Sequence, residues 1–400
     1  MPRISGWNDG SRMATVQSLV EESTLIIDNS NFITTQDKVF IKSHYYSDKP
    51  VMPSILGAIV YFPLYHFGMK LDWGWNFAGY LIILFTIKLF WVLGLVAFNK
   101  SLKFTEIEDK YCRLITLALG FGSLYFTWSS TFNNHSLAAS FLIIGFYFVL
   151  KAKHNISIKK NLLFSGFFFS LAGTCDQPMA VFFFGFCIYI LLHSSLSRNI
   201  VYFLLPAIVT IMPAFMINYH ISGSLVPVQL VKSNFEYPGS PWIGTNRLSG
   251  VTMNSVFFIP YYAFKVFLGP RGFLIYNPLL FIVIPQLFMQ IRKGEKLKSE
   301  AIIIGITSII IVSYYLIFTS NSGGWSYGIR WFVPLLPLLF FFMFSYFKNF
   351  DFKKRRNFLI LFSISIIISV VGLINPWSDI SLSRIAIFAN LIELYHFVTM

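Results

Sequence analysis

Apolar positions in this chain come in long blocks separated by short polar breaks. Blocks of roughly spanning length fall near 77–98, 112–129, 136–151, 161–175, 178–192, 201–218, 272–290, 300–319, 331–347 and 358–375. A helix of about 20 such residues crosses the hydrocarbon of a bilayer. Inside lipid, a helix satisfies its own backbone polar groups, so helices are the element expected. Several blocks abut one another. At Asp176-Gln177-Pro178 one helix is expected to end and another to start, because Pro breaks a helix but opens one well.

Two larger stretches carry no span, residues 1–50 and roughly 219–271, the latter with Pro227, Pro238, Pro241 and several Gly. The apolar stretch 51–69 reads as an interfacial or re-entrant helix. The pattern predicts an all-α fold, a polytopic transmembrane helix bundle with outer-face interfacial helices. Its expected parts are an extracytoplasmic loop with an amphipathic helix (1–50), the interfacial helix (51–69), a first half-bundle (77–218), a second extracytoplasmic loop (219–271), a second half-bundle (272–375) and an extracytoplasmic or interfacial tail (376–400).

Composition supports the membrane reading. Apolar residues make up 56% of the chain and charged residues 12%, far from the usual balance of a soluble protein. Cys112, Cys175 and Cys187 all lie in apolar blocks and offer neither a disulfide framework nor metal-ligand spacing. The formal charge of +14 invites a nucleic-acid reading, but its placement speaks for the membrane. Lys100, Lys103 and Lys110 share one loop; Lys151, Lys153, Lys159 and Lys160 another; Arg292, Lys293, Lys296 and Lys298 a third; Lys348, Lys353, Lys354, Arg355 and Arg356 a fourth. The short loops between them, around Asn133–His135, Asp176 and Asn321–Tyr327, carry almost no basic charge. The positive-inside rule puts the basic loops in the cytoplasm, where they also meet anionic lipid. Residues 1–50 then lie outside, yet residues 1–12 hold no span and no signal peptide. A further span upstream of Met1 is therefore expected.

Four outer-face stretches carry candidate chemistry. Gly6-Trp7-Asn8-Asp9-Gly10-Ser11-Arg12 leads into a helix whose Met13, Val16, Leu19 and Val20 form one apolar face. Asp9 is either a helix cap or a functional carboxylate. His44-Tyr45-Tyr46-Ser47-Asp48-Lys49-Pro50 places Lys49 at headgroup depth, as an interfacial anchor or as a cation for a phosphate. Asn133-Asn134-His135 opens a span, where polar caps are ordinary. Ser322-Gly323-Gly324-Trp325-Ser326-Tyr327-Gly328-Ile329-Arg330 is either a tight anchored loop or an anion cradle. Gly269-Pro270-Arg271-Gly272 is a weaker case of the same kind.

Taken in order, these motifs resemble the first outer loop and later loops of C-type (GT-C) glycosyltransferases. The sequence is similar in style to the protein O-mannosyltransferases and the lipid A aminoarabinose transferases. There an acidic residue follows the first span, and a Tyr-Phe/Tyr-x-x-Lys-Pro-Pro motif precedes an interfacial helix. Here Asp9 and Tyr45-Tyr46-Ser47-Asp48-Lys49-Pro50 match, while Gly10 stands where a second acid is frequent and Val51 replaces the second Pro.

The resemblance implies transfer of a sugar from a polyprenyl-phosphate donor to a lipid, glycan or protein acceptor, among membrane lipids and without nucleic acid. It implies Asp9 as catalytic base, and Lys49, Arg330 and Arg271 as donor-phosphate ligands. Arg12, Tyr46, Asp48, Asn134, His135, Trp325 and Tyr327 are candidate substrate contacts, and Trp7 and Trp325 offer faces for a sugar. No metal ligand set is assigned, although a divalent metal stays open. The expected location is a bacterial inner membrane with the site facing outward. The competing classes are a transporter or lipid flippase, for which Lys88 is the one mid-membrane charge, and an inactive GT-C-like subunit.

Overall fold

The computed structural model describes Ile4 and residues 6–243, 255–293, 296–378 and 385–399. Within these, six helices are long and apolar enough to cross a membrane: Phe77–Thr105, Asn134–Lys153, Ile200–Ser222, Lys298–Phe318, Arg330–Phe347 and Phe352–Gly372. The chain is an all-α polytopic membrane protein, as its apolar blocks predict. The Asn134–Lys153 helix is the axis of the bundle, 83% buried over its apolar window. Ile200–Ser222 is 17% buried and lies at the periphery, its apolar side chains facing outward.

Two expected spans are interrupted. The block at 112–129 is a helix over Asp109–Phe121, then a short turn of helix over Leu124–Thr127. Ser123 starts the second piece, its Oγ accepting from the Tyr125 N–H. The block at 272–290 becomes helical only from Leu280. Pro278 disfavours helical geometry at Asn277. The Asn277 side chain instead ties the two breaks together, accepting from the Leu124 N–H at 2.8 Å and donating to the Phe273 carbonyl at 2.9 Å.

The first helix, α1 (Trp7–Glu21), is not a surface helix with one wet face. Its residues Asn8–Ser18 are buried on every side. The apolar face packs on α2 (Val51–His66), where Gly57 permits the approach: a Cβ there would stand 2.8 Å from both Val16 and Phe132. The polar face is covered by a β-hairpin, β1 (Lys38–Ile41) and β2 (His44–Ser47), paired from Lys38↔Ser47 to Ile41↔His44. Lys42 and Ser43 turn it with positive φ at both positions, which suits a two-residue hairpin. Four residues of alternation are too few to announce a strand in sequence. Val39 and Ile41 pack on Ile221, Val228 and Phe235, which fixes the hairpin at one end of the bundle.

The opposite end gathers the basic loops. Lys296 pairs with Glu106 at 2.9 Å, and Lys153 donates to the Lys296 carbonyl at 2.9 Å. Tyr111 packs on Phe347 and Phe350.

Candidate active site

At the hairpin end, four carboxylates and three cations are drawn together from segments far apart in sequence. Lys49 forms ion pairs with Asp37 at 2.8 Å and Asp48 at 3.0 Å. Ser11 links the same group, donating to the Asp37 carbonyl and lying 2.7 Å from the Ser47 hydroxyl. Asn8 donates to Asp37 at 3.4 Å. One helical turn on, Arg12 donates to the Asn8 carbonyl at 2.8 Å and to its side-chain oxygen. Its other terminal nitrogen reaches Asn134 Oδ1 at 2.6 Å. Arg12 is 1% exposed and ties α1 to the Asn134–Lys153 helix.

Asp9 is buried in the first turn of α1. It is not the cap of that helix: Gly6 holds the cap position, and Asp9 Oδ1 accepts from the Gly10 N–H at 2.9 Å. Asn133 is the cap of the next element, accepting from the Ser136 N–H at 2.9 Å. His135 pairs through Nδ1 with Asp176 at 2.6 Å. Asp176 stands at the helix break Asp176-Gln177-Pro178 and is buried with it.

Arg330 is partly buried and lies within electrostatic reach of Asp37, Arg12 and Asp176. Among the described residues it makes no hydrogen bond and no ion pair, and its Nε is buried without a partner. It lies over the ring of Trp377, 4.8 Å from the guanidinium carbon to the ring centre.

The remaining sequence candidates divide. Tyr46 lines a groove beside Lys49. Trp325 is exposed and stacks on Trp7 at 6.1 Å, and Trp242 meets Trp7 edge-on at 6.4 Å. Tyr327 is fully buried: its N–H donates to the Pro376 carbonyl and its hydroxyl to that of Ile368. Arg271 donates to the Gly324 carbonyl, which anchors the glycine turn that carries Trp325. The sequence reading missed Asn8, Asp37, Asp176 and Trp377. Asn8 stood in the Asn8-Asp9 motif and Asp176 in the polar break between two apolar blocks, but Asp37 and Trp377 had no signal.

Burial lowers the Arg12 guanidinium to about 10, against the pull of Asp48, Asp37, Asp176 and Asp9 in the other direction. Arg12 is therefore charged at neutral pH. Burial also lowers Arg271 and pushes the Tyr46 phenol up. Among the described residues no cluster of three or more His, Cys, Asp or Glu is placed to hold a metal ion.

From the Lys49 end an apolar groove of about 430 Å³ runs outward between α2, the Ile158–Cys175 helix and Ile200–Ser222. Phe183, Phe184, Ile211 and Phe215 are among its walls, with Tyr46 and Lys49 at its polar end. A charged cluster at one end of a helix bundle, with its Lys49 at the polar end of an apolar groove, suits an amphiphilic ligand with a charged head.

A scan of the sequence against protein families finds no match, and a search of curated proteins finds none either. Solved structures do share the architecture. The chain is similar to ArnT from Cupriavidus metallidurans bound to undecaprenyl phosphate, with a TM-score of 0.60, 14% identity, and coverage of 94% of this chain and 66% of that one. It is also similar to the oligosaccharyltransferase AglB from Archaeoglobus fulgidus in complex with an inhibitory peptide and a dolichol-phosphate. There the TM-score is 0.51, with 12% identity, 97% of this chain covered and 52% of that one. Both are GT-C enzymes, so the resemblance read from the sequence holds at the level of fold. The chain spans just under two thirds of the first neighbour and about half of the second.

Proposed function

We propose that this chain is a membrane glycosyltransferase of the GT-C type. It moves a sugar from a polyprenyl-phosphate donor to a lipid, glycan or protein acceptor on the outer face of a bacterial inner membrane. The observation that carries this reading is the apolar groove that ends at Lys49, part of a charged cluster in which Arg330 forms no ion pair among the described residues. A polyprenyl phosphate has that shape: a long apolar chain and one anionic head. The neighbours bound to undecaprenyl phosphate and dolichol-phosphate support the same ligand class here.

The residues divide the work as follows. Lys49, held between Asp37 and Asp48, brings its positive charge to the polar end of the groove. Arg330 offers a planar set of donors that matches phosphate oxygens. Together they neutralise charge as it grows on the leaving phosphate. Asp9 takes the proton from an acceptor O–H or N–H. The freed electron pair forms the bond to the anomeric carbon from the side opposite the phosphate. The carbon–oxygen bond to phosphate breaks, and its electron pair leaves with the lipid phosphate. Configuration inverts. The phosphate is a stable anion, so it leaves without a dedicated general acid.

The test uses membranes from cells making the protein, supplied with labelled polyprenyl-phosphate sugar. Asp9→Asn should lower transfer by at least about 100-fold, the lower end for loss of a general base. Lys49→Ala should weaken donor use, with both variants inserted as the parent is. Full transfer by both variants would sink the site assignment. Net movement of lipid with no glycosidic bond made would favour a flippase.

A further inference from the structure

The segment Asn375–Ser378 covers the end of the expected second half-bundle and the start of the expected tail at 376, yet it is packed against the charged cluster. The Pro376 carbonyl accepts from the Tyr327 N–H at 2.9 Å. Asn390 donates to the carbonyls of Val371 and Asn375, at 3.0 and 3.2 Å, and so fastens the segment from behind. Between these anchors Trp377 turns inward and is 8% exposed.

Its ring is held on two sides. Trp128 meets it edge-on at 4.9 Å. On another side lies Gly6, where an added Cβ would stand 2.8 Å from the ring. Arg330 lies over the ring, 4.8 Å from its centre. Among the described residues the guanidinium forms no hydrogen bond or ion pair, so this stacking is its one specific side-chain interaction at close range. A long side chain without a partner would sample several rotamers, and each bond to a ligand would then cost ordering. An aromatic ring removes that freedom by attracting the cation to its π face. Stacking uses the flat face of the guanidinium. The N–H donors lie in its plane and stay available to oxygen ligands. The indole N–H and the Arg330 Nε, both buried, meet no acceptor among the described residues, so the chamber keeps donors to spare.

We propose that Trp377 is a positioning residue for the anionic head of the donor: it holds Arg330 flat and in place, and Asn375–Ser378 forms a wall of the donor site. This rests on the reading of Arg330 as a phosphate ligand. Trp377 acts through Arg330 and takes no part in bond making.

The experiment compares two probes, undecaprenyl phosphate and neutral undecaprenol, binding to the full-length protein in lipid nanodiscs. Trp377→Leu should weaken undecaprenyl phosphate about tenfold, the scale of a desolvated cation–π contact. Undecaprenol should change less than about twofold, because the chain groove is untouched. Trp377→Phe keeps an aromatic face and should recover most of the loss. Gly6→Ala leaves the tryptophan in place but crowds its ring, and should shift phosphate binding in the same direction as Trp377→Leu. Equal loss of both probes in Trp377→Leu would mean a purely structural role and would overturn the proposal. So would a Phe variant as weak as the Leu variant. Arg330→Ala is the control for the underlying reading: unchanged phosphate affinity there removes Arg330 from the donor site, whatever the tryptophan variants do.

Discussion

Asp9 and Gly10 are neighbours in sequence with opposite surroundings. A Cβ on Gly10 would lie 2.2 Å from the Trp73 ring. A side chain at that position has no room against the ring, so a second acid could not stand beside Asp9 without moving Trp73. Arg12 illustrates a second residue-scale effect. Its pKa falls from the ordinary guanidinium value to about 10 through burial. Between those values the unfolded chain holds the proton more tightly than the folded one. The stability contributed by this group therefore rises with pH across that window, and its burial penalty is fully present below pH 10. At working pH Arg12 is a fixed cation. The transfer–pH profile should consequently have the same shape for the parent and for Arg12→Lys between about pH 6 and 9. The Lys variant should be about tenfold slower, since one ammonium cannot match the planar fork that joins Asn8 to Asn134. A profile whose shape changes in that range would show that Arg12 titrates in the working site. Lys49 and Arg330 could be singled out as candidates in sequence because each stands in a motif with turn or aromatic residues around it. Asp37 was not: Gln36-Asp37-Lys38 has the look of an ordinary loop, and its ion pair with Lys49 arises only when the hairpin closes.

At the scale of elements, the long apolar blocks were legible because hydrophobicity alone fixes them. Their interruptions at Gly122-Ser123 and Asn277-Pro278 were less so, since each break is stabilised by a partner over 150 residues away in sequence, through Asn277 and Leu124. The Lys298–Phe318 helix carries another such long-range feature. Glu300 is fully buried, with one oxygen accepting from both Lys153 and the Tyr189 hydroxyl. This ion pair pins the start of that helix to the end of Asn134–Lys153. Lys153→Met should leave a buried carboxylate without its counter-charge and destabilise the bundle by about 3–5 kcal/mol. Glu300→Gln should cost less, because Lys153 retains the Lys296 carbonyl and partial access to water. Thermal unfolding in detergent checks the order. Equal losses, or a smaller loss for Lys153→Met, would show that the pair contributes by packing and not by charge.

The whole molecule is polarised, and this polarity links topology to function. One end brings together Lys153, Lys296 and Glu106, close to the other basic loops. The other end holds Asp9, Asp37, Asp48 and Asp176, with Lys49, Arg12 and Arg330 among them. Basic residues favour the cytoplasmic side of a bilayer because translocating them is costly. The two ends therefore make one linked expectation: if the basic loops are inside, the chamber faces outward. Single cysteines can report it, given that Cys112 and Cys175 are buried and the half-buried Cys187 can be changed to Ser. Ser233 is exposed in the segment whose Phe235 packs on the hairpin, and Lys159 is exposed beside the basic loop after Lys153. In intact cells a membrane-impermeant maleimide should label Ser233→Cys and spare Lys159→Cys, and permeabilisation should expose the second. The reverse pattern would turn the protein over. The chamber would then open to the cytoplasm, its geometry intact, and a donor in the outer leaflet would no longer reach Lys49.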